Sequence, residues 1–115
     1  MSPSQPEFLK HIRDECEFIL ETTKNKSVDA ITSDAILSRA LLRSFGVIGE
    51  AVKNLEKDLT LKYPQIDRRE IAGMRDKVIH DYFGVDYDIV YSTIQKDIPE
   101  LLPEINRIIE LESKR

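Results

Sequence analysis

The feature of this sequence that most constrains its fold is a long row of apolar residues through the middle of the chain. Successive members lie 4, 4, 3, 4, 3 and 4 residues apart, at Leu37, Leu41, Phe45, Ile48, Val52, Leu55 and Leu59. Because an α-helix turns once in about 3.6 residues, this row forms one stripe on a helix from about Ser33 to about Leu59. Such a seam predicts a helix that packs nearly parallel to its neighbours in a bundle.

The N-terminal segment carries a second helical pattern. A helix is predicted to open at Ser4, with Pro6 in its first turn, where the missing N–H group of proline removes no hydrogen bond. Its apolar stripe, with intervals of three and four residues, is Leu9, Ile12, Cys16, Ile19 and Thr23. The chain is then predicted to turn between positions 23 and 27, where this period is lost.

Three aspartates are predicted to begin further helices, because a carboxylate accepts hydrogen bonds from the free N–H groups of a first helical turn. They are Asp67, Asp86 and Asp97. The helix after Asp67 is expected to run to about Phe83, where Gly84 suits the left-handed position that often ends a helix. The sequence therefore predicts an all-α, up-and-down bundle of four main helices plus a C-terminal helix, in a single domain over residues 1–115.

Composition narrows the class of protein. Apolar residues make up 41% and charged residues 33% of the chain, as in soluble proteins rich in helix. No segment approaches the roughly 18 consecutive apolar residues of a membrane span, and the N-terminus lacks the apolar core of a signal peptide. We therefore expect a cytoplasmic protein without membrane association. The single cysteine, Cys16, is in register with the apolar stripe and is predicted to fill the core.

The net charge of −4 argues against nucleic-acid binding through the overall field of the molecule. No DNA partner is expected. An RNA site on this chain would have to be a local basic cleft on an acidic body.

A second line of residues runs along the long central helix. Its members, which fall within about 60° of one another at about 100° per residue, are Arg39, Arg43, Gly46 and Glu50. This line could be an ordinary solvated face. Gly46 and Gly49 are harder to explain in that way, because each costs roughly 1 kcal/mol against alanine inside a helix. They predict that another backbone comes close.

Arg75 is predicted to lie near the middle of the apolar face of the third helix. A charged group there must be paired or line a cavity, because an unpaired buried charge costs several kcal/mol. Glu50 is the first partner to consider. A structural Arg–Glu clamp between two helices would account for both residues without any catalytic role.

His80 lies about 140° around the same helix from Arg75, on a face shared with Gly73 and Asp76. Asp76 could hold the imidazole or raise its pKa. Gly73 leaves room for a symmetric partner helix, which would bring a second Arg75 and His80 into one cleft. The alternative is a surface histidine near a helix C-terminus, stabilised by the helix dipole.

The reactive residues of the chain limit its chemistry. Two distant histidines, one cysteine and scattered carboxylates form no spaced set of metal ligands, and no phosphate-binding glycine loop or nucleophilic serine motif is present. No metal and no cofactor is expected. His80 and Arg75 suit the cleavage of RNA through its own 2′-hydroxyl, because the imidazole can move a proton while the guanidinium stabilises charge on the phosphorane oxygens.

The segment R-D-K-V-I-H-D-Y at positions 75–82 resembles the R-x4-H-x-Y signature of the HepT family. These are ribonuclease toxins of the HEPN superfamily, from HepT/MntA type VII toxin–antitoxin systems. The resemblance extends over nearly the whole chain. It includes the blocks SRALLRSFGVIGEAVKNL at 38–55 and IAGMRDKVIHDYFGVD at 71–86.

This resemblance implies a homodimer whose third helices meet, so that both motifs share one cleft. Arg75 and His80 would be the catalytic pair, and Asp76 the polar residue that follows the arginine. Glu50 would support Arg75. A two-fold axis would duplicate a basic groove for RNA, either tRNA or mRNA, on an acidic body. Its cations would be Arg39, Arg43, Arg75 and Lys77.

The resemblance also implies a protein partner and a modification. In the family, an MntA-like nucleotidyltransferase antitoxin AMPylates the tyrosine of the motif, which is Tyr82 in this sequence. Added phosphates beside the cleft would repel RNA. Considered without the resemblance, Tyr82 is a core aromatic residue with its hydroxyl at the rim.

Three functions therefore follow from the sequence. The first is a metal-independent endoribonuclease that acts as the toxin of a toxin–antitoxin pair. The second is a non-catalytic HEPN subunit that binds and positions a nucleotidyltransferase. The third is a plain dimeric helical scaffold, which would not need an arginine on an apolar face.

Overall fold

The computed structural model describes residues 4–78 and 85–114. Within these ranges the chain forms seven helices and no strand, which confirms the all-α prediction. The helices are α1 (Gln5–Thr23), α2 (Val28–Ser33), α3 (Ala35–Lys53), α4 (Lys57–Lys62), α5 (Arg68–Val78), α6 (Tyr87–Gln95) and α7 (Asp97–Ser113). The five longer helices correspond to the predicted bundle, and the short α2 and α4 are additional.

Helix α1 follows the prediction closely. The side chain of Ser4 accepts a hydrogen bond from the backbone N–H of Glu7, and Pro6 lies in the first turn. All five members of the predicted stripe are buried, including Cys16, whose thiol is free. This stripe packs against α3 and α7, so α1 closes one side of the core.

The predicted turn after α1 is present but is followed by a helix that the apolar period did not indicate. Asn25 has a positive φ of 61°, a conformation that asparagine adopts more readily than most residues. Ser27 then caps α2, because its side chain accepts a hydrogen bond from the backbone N–H of Ala30. Ile31 attaches this short helix to the core.

The single helix predicted from about Ser33 to about Leu59 is wrong. Helix α3 begins only after Asp34, whose carboxylate accepts a hydrogen bond from the backbone N–H of Leu37 at 3.0 Å. It ends at Lys53, and the apolar row continues through a break into the separate helix α4.

Long-range hydrogen bonds explain why α3 ends at Lys53. The side chain of Gln5, the first residue of α1, donates to the carbonyl oxygen of Asn54 at 3.1 Å and accepts from the backbone N–H of Glu56 at 2.6 Å. From α5, the guanidinium of Arg68 donates to the carbonyl oxygen of Lys53 at 2.7 Å. Side chains from distant positions thus satisfy backbone groups that a continuous helix would have paired internally.

The predicted starts of the later helices are confirmed with one small difference. Asp67 accepts from the backbone N–H of Glu70 at 3.0 Å, and Asp86 caps α6. Helix α7 begins at Asp97, but Lys96 occupies the capping position and makes no side-chain capping bond. The predicted end of the third helix near Phe83 lies outside the described residues.

The last turn of α7 is tied to the segment that leads into α5. Tyr63 is buried, and its hydroxyl donates to the carboxylate of Glu112. Lys62 pairs with the same carboxylate at 3.0 Å. This arrangement fixes the approach of the chain to α5, which carries Arg75. No helix in the described part of the chain has both the length and the apolar character to cross a bilayer.

Candidate active site

Arg75 lies on α5, which packs directly against α3. The two helices are antiparallel at this contact, since Arg75 faces Gly49 while the earlier residue Arg68 reaches the later residue Lys53. A Cβ atom placed on Gly49 would lie 3.0 Å from Cβ and 3.1 Å from Cγ of Arg75. The aliphatic part of the arginine therefore crosses α3 at its buried glycine.

The prediction that Arg75 occupies the middle of an apolar face also counted positions 79, 82 and 83, which lie outside the described residues, so only the part of α5 up to Val78 bears on it. The buried stripe of α5 consists of Ile71, Met74 and Val78. At about 100° per residue, the centre of this stripe lies about 65° from Arg75. The arginine is therefore at the edge of the stripe, and its side chain is 42% exposed. Its stem covers apolar surface while its charged end reaches solvent, as long cationic side chains commonly do.

Arg75 is paired with Asp76 rather than with the predicted Glu50. Among the described residues its ion pair joins Nη1 of Arg75 to Oδ1 of Asp76 at 3.2 Å. The Asp76 side chain is 69% exposed, so water screens the pair and it is worth about 0–1 kcal/mol. Because the guanidinium reaches solvent and needs no deeply buried counter-ion, Glu50 is not required as its partner. A weakly held guanidinium can exchange this carboxylate for a phosphate.

The outer face of α3 carries the other predicted supporting residues. Arg39, Arg43 and Glu50 are all exposed, and none forms an ion pair with another residue in the described ranges. A Cβ atom on Gly46 would meet nothing within 4 Å. The predicted close approach is thus present at Gly49, where a side chain supplies it, and is absent at Gly46 within the described part of this chain.

Lys77 and Arg75 lie on different flanks of α5 within one chain, and the basic groove expected from a two-fold axis stays a prediction. Lys77 lines a groove on the opposite flank of α5, between α5 and α7. The floor of that groove is apolar, with Ile71, Met74 and Leu101. Its rim is acidic, with Asp67, Glu70, Asp97, Glu100 and Glu104. Such a rim repels phosphates, so the two flanks of α5 differ sharply in charge.

Two residues of the predicted site, His80 and Tyr82, lie outside the described residues. Their roles, and the proposed contact of Asp76 with the imidazole, stay predictions from the sequence. Within residues 4–78 and 85–114, no group of three or more histidine, cysteine, aspartate or glutamate side chains could hold a metal ion.

Two titratable groups with shifted pKa values lie away from Arg75. Burial, with smaller contributions from Glu15 and Glu17, raises the pKa of the Cys16 thiol to about 12. The hydrogen bond to Glu112 raises the pKa of Tyr63, with burial adding to the effect. Both groups stay protonated at neutral pH, so they belong to the framework and take no part in proton transfer.

Sequence reasoning missed the contact that positions Arg75. In the sequence, Gly49 is notable only because glycine destabilises a helix relative to alanine. The sequence led us to expect the backbone of another segment beside it, not a side chain. The pattern could have shown that a glycine on the flank of α3 admits a neighbouring helix closely. It could not have identified Arg75 as the neighbour, because that depends on the offset between two antiparallel helices.

Comparison with known proteins gives the family. Residues 12–108 match the family described as Ribonuclease HepT-like. A protein of Caldanaerobacter subterraneus subsp. tengcongensis, named as a candidate RNase, is 49% identical over 105 residues, which cover 91% of this chain and 94% of the relative. A "Probable ribonuclease HepT" of Thermococcus cleftensis is 36% identical over 108 residues, which cover 94% of this chain and 98% of the relative. No solved structure gives a significant match.

The family match extends from within α1 into α7 and includes the whole of the R-x4-H-x-Y segment. It agrees with the all-α bundle and with the full length over which the relatives align. The chain belongs to the HepT-like ribonuclease family.

Proposed function

We propose that this protein is a metal-independent endoribonuclease and the toxin of a toxin–antitoxin pair in the cytoplasm. One observation carries the proposal: Arg75, with its side chain 42% exposed, lies at the edge of the α3–α5 contact, and among the described residues its ion pair is with the exposed carboxylate of the neighbouring Asp76. A purely structural arginine would be paired across the helix contact. Membership of the HepT-like ribonuclease family supports RNA as the substrate.

The reaction uses the substrate's own nucleophile. The 2′-oxygen of a ribose attacks the adjacent phosphorus, and the 5′-oxygen of the next nucleotide leaves. His80 moves the proton between these oxygens, and Arg75 stabilises the negative charge on the non-bridging oxygens. The products carry a 2′,3′-cyclic phosphate and a 5′-hydroxyl. All bonds made and broken belong to the RNA, so this scheme needs no metal ion and no cofactor.

The active form is a homodimer in which two α5 helices meet. One chain supplies one motif histidine, and a second copy provides a second proton-transfer group in the same cleft. The outer side of α5 has room for this approach as far as the described residues show, because none of them would lie within 4 Å of a Cβ atom added to Gly73. In the dimer, Arg39 and Arg43 of each protomer bind the RNA backbone around the two Arg75–His80 pairs.

An MntA-like nucleotidyltransferase silences the enzyme by AMPylation of Tyr82. The adduct places phosphate beside Arg75, where it competes with the RNA backbone for the guanidinium and repels it by charge. The acidic rim between α5 and α7 repels phosphates and therefore favours the Arg75 side of α5 for RNA, so an adduct that reaches Arg75 would block that route.

The test measures cleavage of RNA by purified wild type, Arg75→Ala and His80→Ala, beside the control Arg107→Ala. Arg107 carries the same charge but pairs with Glu104 on α7. We expect the Arg75 and His80 variants to lose about 10²-fold or more in rate, and the control to retain wild-type activity. A 2′-deoxy substitution at the cleaved position should abolish the reaction.

Co-expression with the nucleotidyltransferase forms the second arm of this experiment. Intact mass should rise by adenylyl units in wild type and not in Tyr82→Phe, which should stay toxic. Cleavage that survives His80→Ala at equal protein concentration would contradict the catalytic assignment. A wild-type protein that cleaves no RNA but still binds the nucleotidyltransferase would establish the non-catalytic subunit instead.

A further inference from the structure

We propose that Gly49 is a positioning residue for Arg75, which sets the path of the arginine stem and thereby the location of its guanidinium. The importance of this position for catalysis rests on the proposed function. The contact itself does not, since it is a property of how α3 and α5 pack.

A side chain at position 49 would press against the stem of Arg75, which would have to move by a few tenths of an ångström. A Cβ atom there would lie 3.0 Å from Cβ, 3.1 Å from Cγ and 3.7 Å from Cδ of Arg75. Carbon atoms in contact normally lie about 3.5–4.0 Å apart. Cβ of Arg75 is fixed to the backbone of α5, so it can move only with that helix. Cγ can move by rotation about χ1, which would send the guanidinium elsewhere.

The usual reasons for a glycine do not apply at position 49. Neither Gly49 nor any other described glycine has a positive φ, so conformational freedom is not needed. Gly49 lies in the interior of α3, where alanine would favour the helix. At Gly46, one turn earlier, no other element in the described part of the chain would come within 4 Å of an added Cβ. The close stem of Arg75 is therefore the specific feature of position 49.

The contact restrains the arginine at its base and leaves its end free. Cβ, Cγ and Cδ lie along the buried surface of Gly49, and Nη1 emerges beside Asp76 with the side chain 42% exposed. A stem fixed in this way reduces the conformations that the guanidinium must give up when it meets a phosphate. The position of the charge is then set before RNA binds, as electrostatic stabilisation requires.

Gly49→Ala tests the proposal with two measurements. If Gly49 served only the stability of the fold, its substitution would not change both of them. The first is the Nε–Hε NMR signal of Arg75, assigned by its loss in Arg75→Lys. The second is RNA cleavage, separated into kcat and KM. We expect the Arg75 signal to shift, kcat to fall about tenfold or more and KM to change by less than about twofold. In an Arg75→Ala background, Gly49→Ala should reduce the residual kcat no further.

Gly46→Ala serves as the control for stability and for the Arg75 signal. It makes the same chemical change in the same helix but should leave the Nε–Hε signal of Arg75 in place. A Gly49→Ala protein with an unshifted Arg75 signal and unchanged kcat would overturn the proposal. If Gly49→Ala does not fold, wild-type NOEs between Hα of Gly49 and Hβ or Hγ of Arg75 decide the matter, and their absence would overturn it.

These outcomes also separate the positioning role of Gly49 from the proposed function. In one outcome, wild type shows the Gly49–Arg75 NOEs, Gly49→Ala shifts the Arg75 signal, and wild type cleaves no RNA. The positioning contact would then be confirmed, and the proposed nuclease activity would be rejected. Cleavage that depends on Arg75 but is unaffected by Gly49→Ala would keep the nuclease and remove the positioning role.

Discussion

The Cys16 thiol is a titratable group enclosed by the core. It is fully buried in α1 beneath the contacts with α3 and α7. Burial raises its pKa from 9.0 to about 12, and the flanking Glu15 and Glu17 add to the increase. The thiolate is the reactive form of cysteine, so this thiol is chemically inert at neutral pH.

This shift predicts a specific loss of stability in alkali. The pKa in the folded state is higher than in the unfolded chain, so the contribution of the thiol is complete below pH 9 and falls as the pH rises towards about 12. Between these values, Cys16 should lower the free energy of unfolding by about 1.4 kcal/mol per pH unit. Urea denaturation across this range should show a shallower pH slope for Cys16→Ala than for wild type. Equal slopes would contradict the shift.

At the scale of the helix, the cap of α6 is a second predicted feature that can be tested directly. The carboxylate of Asp86 accepts from the backbone N–H groups of Asp88 at 3.0 Å and Ile89 at 3.3 Å. Asp86→Ala should lower the free energy of unfolding by about 1 kcal/mol, because a typical N-cap contributes that much. Thermal or urea denaturation of the purified variant measures this loss.

Asp88→Ala is the matched control for this cap. Asp88 lies in the same first turn and has the same charge, and its side chain makes no capping bond to the described residues. Its loss should cost only the smaller interaction with the helix dipole, about 0.3–1 kcal/mol. If Asp88→Ala were more destabilising than Asp86→Ala, charge at the helix end would matter more than the cap itself.

The helices also show which boundaries could be predicted from the sequence and which could not. Helix α1 was predictable in detail, because its cap and its stripe depend on residues near one another in the chain. The break after Lys53 was not, since it depends on Gln5 and Arg68, which lie far from it in sequence and satisfy its backbone groups. The apolar row continues through the break, as far as Leu55 and Leu59. The spacing of apolar residues therefore gives no sign that the helix ends at Lys53.

The candidate site shows the same division. Local pattern predicted Arg75 on a helix, and the resemblance to the HepT family identified the motif around it. Pairing with Glu50 was wrong because it assumed a buried guanidinium, whereas the stem of Arg75 crosses Gly49 at the edge of the buried stripe. The register between α3 and α5 decides this geometry, and no repeat in either helix encodes that register.

At the scale of the whole molecule, the net charge of −4 conceals an uneven distribution. Among the described residues, the groove between α5 and α7 has five carboxylates on its rim, partly because the first turns of two helices meet there and acidic residues favour such positions. The cations Arg39, Arg43 and Arg75 lie on the other flank of α5 and on the exposed face of α3. RNA binding on an acidic protein is physically reasonable if contact is confined to this second region.

This separation predicts how RNA binding depends on salt. If Arg39, Arg43 and Arg75 of both protomers each contact one phosphate, about six contacts give a log–log slope of about −4 for single-stranded RNA. Arg39→Ala should reduce the slope by about 1.4, because the proposed dimer would lose two contacts at about 0.7 each. Fluorescence anisotropy of a labelled RNA with 2′-deoxy nucleotides, titrated over a range of KCl concentrations, measures this slope without cleavage.

Arg107→Ala distinguishes local contact from net charge in the same titration. It removes the same charge from α7, where Arg107 is paired with Glu104 at 2.9 Å and stacks near Tyr63. We expect its slope to equal that of wild type, because an arginine beside the acidic rim does not contact the RNA. Equal changes in the two variants would mean that RNA responds to the total charge of the protein. The surface that carries Arg39, Arg43 and Arg75 would then be rejected as the RNA-binding site, whether or not Arg75 and His80 are needed for cleavage.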